Sequence, residues 1–159
     1  MNTQGFRDRT DPMTDQFWGL PDPGAEPEFY ASVPAKRLFA WIVDVVLIGL
    51  LTLVAIPFTA FTALFFLPLL FLCLGFLYRW ITIANRSATW GMRLMGIELR
   101  DRAGQRFDTG MALIHTLAYS VTVAFVIPQI LSAVMMATTA RGQGLHDIVL
   151  GTTAINRPG

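Results

Sequence analysis

Residues 38–83, LFAWIVDVVLIGLLTLVAIPFTAFTALFFLPLLFLCLGFLYRWITI, run for 46 residues with only two charges, Asp44 and Arg79. One helical crossing of a bilayer takes about 20 apolar residues. The stretch therefore predicts two membrane helices joined by a tight connection. The break falls near Ile56–Thr62, where Pro57 disfavours a continuous helix. Helix positions follow at about 36–57 and 60–83. Pro68 is placed inside the second helix, where membrane helices tolerate a kink. Trp41 and Trp80 then fall at the same end of a hairpin, as an interfacial aromatic belt requires.

The rest of the chain fits around this hairpin. Residues 84–110 form a polar connector with Arg86, Arg93, Arg100, Arg102 and Arg106 against Glu98, Asp101 and Asp108. Within it, 87–95 suits a short interfacial helix, 96–100 alternates like a strand, and 101–104 reads as a turn. Met111 to Ala140 contains no Asp, Glu, Lys or Arg and has His115 as its one titratable group. This predicts a third span at about 111–139 with Pro128 near its middle. It is either one tilted helix or a helix followed by a shorter returning one. A polar end follows, with a short strand at 152–155.

The expected fold is an all-α membrane protein of about three transmembrane helices: a hairpin, a polar connector and a long Pro-containing last span, with short strands in the connector and C-terminal tail. The expected domain is residues 34–156, with a flexible acidic tail at 1–33 and an end at 157–159. Pro12, Pro21, Pro23, Pro27 and six acids keep the tail from forming a core, though Phe17, Trp18, Phe29 and Tyr30 interrupt its polarity.

Composition agrees. The 159 residues are 53% hydrophobic and 14% charged, against about 25% charge in soluble domains, which excludes a soluble globule. Residues 1–33 carry net charge −4 and the remainder +5, without a basic module suited to nucleic acid. Cys73 is alone, so no disulfide forms within one chain. The first 33 residues contain no apolar leader core, so the first helix is expected to stay as an anchor. Lys36, Arg37, Arg79 and the connector arginines place the N-terminus and connector in the cytoplasm. Three full crossings, the simpler count, put the C-terminus outside. A bent last segment returns it to the cytoplasm, where its strand can pair with 97–100.

Five residues stand out as an intramembrane polar network or ion site: Arg37, Asp44, Arg79, His115 and Asp147. Asp44 lies about 9 Å into the first helix. A carboxylate at helix centre costs about 2.5–3.5 kcal/mol on insertion scales, so it must face partners rather than lipid. Arg37 shares its face but stands about two turns away, too far for a direct bond. Arg79 either snorkels to the interface or faces Asp44 across the hairpin. His115 suits a hydrogen bond within the helix bundle or a proton relay. His146-Asp147 alone is a weak pattern, with no placed nucleophile and no second histidine cluster for a metal. No catalytic residues, cofactor or metal ligands are therefore assigned.

Three separate elements carry a family resemblance. They are Ala35-Lys36-Arg37-Leu38-Phe39-Ala40-Trp41-Ile42-Val43-Asp44, then Thr89-Trp90-Gly91-Met92-Arg93-Leu94-Met95-Gly96-Ile97, then Gln143-Gly144-Leu145-His146-Asp147-Ile148-Val149-Leu150-Gly151-Thr152. In order and surroundings they resemble the RDD family of small membrane proteins, named for an Arg and two Asp. Here these are Arg37, Asp44 and Asp147, while Met92 stands where a Lys is common. The resemblance implies a bacterial inner-membrane protein and an association with transport, including sodium/proton exchange. Three helices are too few to enclose a sizeable pathway, so a homo-oligomer or a larger membrane complex is expected besides the lipid bilayer. The alternative to transport is a non-catalytic accessory subunit.

Overall fold

The computed structural model describes residues 19–158. Phe17 and Trp18 of the acidic tail lie outside them. The first helix, α1 (Val33–Phe58), has Pro34 in its opening turn, where a missing N–H costs nothing. It buries Val33, Arg37, Ala40, Asp44, Ile48 and Thr52, a stripe recurring every three or four residues. Leu38, Phe39, Ile42, Val46, Leu50 and Leu53 face outward. In water this pattern would be inverted; in lipid the apolar shell is the solvated face and the polar stripe the one needing partners.

The hairpin connection is tighter and longer than the sequence suggests. Ala60 and Phe61 adopt left-handed φ values of 50° and 63°, followed by a 3-10 turn at Thr62–Phe66. The second helix, α2 (Leu67–Arg86), starts only there. Pro68 therefore occupies its first turn, which corrects the expected mid-helix kink: the ring is accommodated where no helical N–H is needed. α1 and α2, with the turns that lead into them, are long and apolar enough to cross a membrane.

The connector forms α3 (Trp90–Leu94), capped by the Thr89 hydroxyl accepting from Met92 N–H at 3.2 Å, and β1 (Ile97–Arg100). Asp108 caps α4 (Thr109–Ala124) through Met111 N–H at 2.7 Å. Of the two readings of 111–139, the chain follows the helix with a shorter one after it rather than the single tilted helix. The chain breaks at Phe125, extended at φ −119°, and α5 (Val126–Thr138) leaves at 115° to α4. Pro128 supplies the reason. In a continuous helix its ring would meet the Ala124 carbonyl and its absent N–H would leave that carbonyl unbonded. In the bent chain the Pro sits in the first turn of α5 instead.

After a turn at Gly142 come α6 (Leu145–Leu150), a C-terminal left-handed Gly151 and β2 (Thr153–Asn156). β2 pairs antiparallel with β1, Ile97 opposite Asn156 and Arg100 opposite Thr153. The ends of the connector and of the chain are thus joined in one sheet. Glu98, fully buried there, pairs with Arg100 and lies 3.1 Å from Arg106. The apolar core gathers Val33, Ala40, Ile83, Met92, Ile97, Leu99, Phe107, Ala112 and Ala154 where α1, α3, the sheet and α4 meet. Residues 19–32, assigned to the tail by composition, pack here too. Tyr30 is buried with its hydroxyl donating to Pro21 O at 2.8 Å, and the Asn156 amide donates to Glu28 O and Ala31 O.

Candidate functional site

The polar stripe of α1 meets two separate ionic clusters. In the first, Asp44 (1% exposed) presents Oδ1 to the Tyr78 hydroxyl at 2.7 Å and to Gly91 N–H at 2.9 Å, and Oδ2 to Arg79 at 3.8 Å. Arg79 also lies over the Tyr119 ring, 4.1 Å from its centroid, an arrangement that suits a delocalised cation. Gly91 permits the close approach of α3. A Cβ there would overlap the Ala40 carbonyl and stand 2.8 Å from Asp44 Oδ1. Of the two sequence readings of Arg79, the structure takes the one that faces Asp44.

The second cluster centres on Asp147, third residue of α6. Its Oδ2 accepts from Arg37 at 2.6 Å and, as a helix cap, from Gly144 N–H at 3.1 Å. Its Oδ1 lies 3.0 Å from His115 Nε2 and 3.1 Å from Thr152 Oγ1. Arg37 also reaches Gly142 O at 3.3 Å. Two turns from Asp44 on α1, Arg37 thus serves the other carboxylate. Burial pushes the Asp147 carboxyl up, but Arg37 beside it, with His146 and His115, outweighs that and holds it well below the usual carboxylate range.

His146, four per cent exposed at its side chain, packs edge-on against His115 and Tyr119 with centroids 5.1 and 5.6 Å away. Burial pulls its pKa down to about 4, against the opposing pull of Asp147, so the ring is neutral near pH 7. Neither ring nitrogen has a hydrogen-bond partner among the described residues, nor does His115 Nδ1. A buried polar atom left unpaired costs about 1–3 kcal/mol, so the site holds unspent bonding capacity.

Both clusters border one cavity of about 450 Å³, mostly apolar, to which Arg37, Asp44, Arg79, His115, Tyr119 and His146 contribute. Gln129 and Ser132 of α5 close its other side. All five residues singled out from the sequence are therefore at or beside one place: four line the cavity, and Asp147 stands directly behind it. The sequence reading missed Tyr78 and Tyr119, for which no local pattern exists, and quoted Gly91 only as part of the second family element. It noted His146 without the partner that gives it meaning.

Two long apolar helices, a lipid-facing apolar shell and a buried ionic interior define an integral helical membrane protein. The chain belongs to the RDD family, whose family model matches residues 31–151. No curated protein and no solved structure matches it.

Proposed function

We propose that this protein takes part in moving an ion or small polar solute across a membrane, with the cavity between α1, α4 and α5 as its binding place, coupled to protons or sodium. The observation that supports this is the set of two carboxylates, two guanidiniums and two imidazoles gathered around about 450 Å³ of space beside membrane-spanning helices. An ionisable residue inside the membrane is by default a candidate for an ion or substrate pathway. Reconstitution into sealed vesicles, with flux of Na+ and H+ followed by internal dyes, tests it. Wild-type flux that Asp44→Asn abolishes at unchanged protein level supports the reading. Absence of flux from folded, oriented protein ends it.

A second reading has its own support. Each buried carboxylate is already satisfied by at least three partners, as in a structural clamp. In that case the chain is an accessory subunit in a larger membrane complex, and deleting residues 1–33 weakens assembly without altering flux. Native mass of the complex extracted in mild detergent separates the two: copies of this chain alone favour transport, a larger stoichiometric partner favours the accessory role.

We place the protein in a bacterial cytoplasmic membrane with the N-terminus and the arginine-rich connector in the cytoplasm. The C-terminus belongs on the same side, because β2 pairs with β1 of the connector. α4 and α5 then enter and leave the bilayer as one re-entrant unit bent at Phe125.

A further inference from the structure

The chain has two histidines in 159 residues, 31 positions apart, and both stand on Asp147. We propose that His115, His146 and Asp147 form a binding site for a divalent transition-metal ion of the zinc type, open on its fourth side to the cavity.

Two of the three separations match one ion, and a small turn of the imidazoles closes the third. Two ligands each about 2.0–2.1 Å from a tetrahedral Zn2+ stand roughly 3.3 Å apart. His115 Nε2 and His146 Nε2 lie 3.0 and 3.6 Å from Asp147 Oδ1, and the ligand atoms of all three residues fall within 4.8 Å of one another. The 3.6 Å separation is not a hydrogen bond, and His146 Nε2 has no other partner among the described residues. An electron pair on a buried nitrogen facing a carboxylate oxygen is what a cation between them would use. Arg37 and Gly144 occupy Oδ2, so Oδ1 is the one-oxygen ligand, keeping the Thr152 hydroxyl at 3.1 Å while the ion replaces its direct contact with His115. His115 binds as the tautomer protonated at Nδ1, so no net proton need leave its ring.

The charges around the site are few. Arg79 is paired with Asp44, and Asp147 is the one anionic ligand, shared between Arg37 and the ion. Two nitrogen ligands and one oxygen select Zn2+, Co2+ or Cu2+ over Na+, Mg2+ or Ca2+, which take oxygen. The fourth position faces the cavity lined by Tyr119, Gln129 and Ser132, with room for water or a coordinating solute. This site does not depend on the transport reading, because it is an equilibrium property of the protein at rest.

The test uses the full chain purified in detergent through a tag without histidine, stripped with chelator and dialysed. Zn2+ is titrated calorimetrically, and Co2+ by its visible absorption. The expected result is one Zn2+ per chain, a tetrahedral Co2+ spectrum displaced by Zn2+, and no competition from excess Na+ or Mg2+. His146→Leu is the decisive variant, since that ring makes no hydrogen bond within the described residues and its loss leaves the fold intact by melting temperature. His146→Leu and His115→Gln should each weaken Zn2+ binding at least about 100-fold, since even outer-shell changes cost 10–100-fold. Substoichiometric Zn2+, an octahedral Co2+ spectrum, or a folded His146→Leu protein that binds as tightly as wild type overturns the proposal.

Discussion

Arg37→Met tests how the two ends of the chain are held together. Arg37 and Asp147 lie 110 residues apart in sequence, are nearly inaccessible to solvent, and meet at 2.6 Å. At that distance the gross attraction is about 6 kcal/mol with an effective dielectric of 20, much of it offset by desolvation of both groups. What a truncation measures is different: it strands the partner charge, at about 3–5 kcal/mol. Asp147 keeps Gly144 N–H, Thr152 and His115 after Arg37 is removed, so Arg37→Met belongs near the lower end, about 3 kcal/mol. Asp147→Asn strands a guanidinium whose other described contact is the Gly142 carbonyl at 3.3 Å, and belongs near the upper end, about 5 kcal/mol. The double variant strands neither charge. It should cost no more than the worse single change, giving a coupling of about 3 kcal/mol in a double-mutant cycle. Reversible unfolding in mixed micelles, read by tryptophan fluorescence, supplies the four stabilities. Two single losses below about 1 kcal/mol, or losses that simply add, would refute a buried clamp.

Four further outcomes follow. Gly91→Ala should cost about 1–3 kcal/mol by driving α3 from the Ala40 carbonyl, and Asp44 should lose its bond from the residue 91 amide; thermal melts check it, and a neutral result would mean α3 does not sit on α1. Tyr78→Phe should cost about 2 kcal/mol, since its hydroxyl donates to a charged carboxylate and accepts from Trp90 N–H, and less once Asp44 is already Asn; a cycle of melts in the same micelles reads it. With chelator present, stability should be flat above pH 6.5 and fall towards pH 4 by roughly 3 kcal/mol, because the unfolded chain takes up a proton at His146 that the fold refuses; His146→Leu should flatten that slope, whereas Asp147, held below its usual range, adds its own loss only under more acid conditions. Cysteines placed at Gln105 and at Pro158, both exposed beside the sheet, should both label from the cytoplasmic side of membrane vesicles, since β1 and β2 pair; labelling from opposite sides would break the re-entrant path.

The hairpin was legible because lipid imposes a length rule on apolar runs, and residues 38–83 are twice that length with Pro57 between. Asp44 and Arg79 were legible for a related reason: a charge in such a run must find a partner, and the hairpin leaves few. The break at Phe125 was not. A Pro in a membrane helix either kinks it or ends it, and only the packing of α5 on α4 and α6 decides which. The pairing of Arg37 with Asp147, and of His115 with His146, was hidden by sequence separations of 110 and 31 residues. α6 is six residues long, too short to show a helical period. Within residues 19–32, Leu20 and Tyr30 are buried although prolines and acids surround them, which composition could not show.

The two ion pairs divide their work according to which segments need joining. Between helices in lipid the apolar surfaces gain nothing by meeting, since lipid tails are equally apolar. Something other than the hydrophobic effect must therefore fix how α1 stands against its neighbours. Asp44 ties α1 to α2 through Tyr78 and Arg79, and to α3 through the Gly91 amide. Arg37, seven residues earlier on the same face, ties α1 to α6, while Asp147 ties α6 to α4 through His115 and to the start of β2 through Thr152. Both carboxylates are thus held by an arginine together with backbone or hydroxyl donors. The groups that retain bonding capacity are the two imidazoles. The clamps on either side hold these two rings with their centroids 5.1 Å apart.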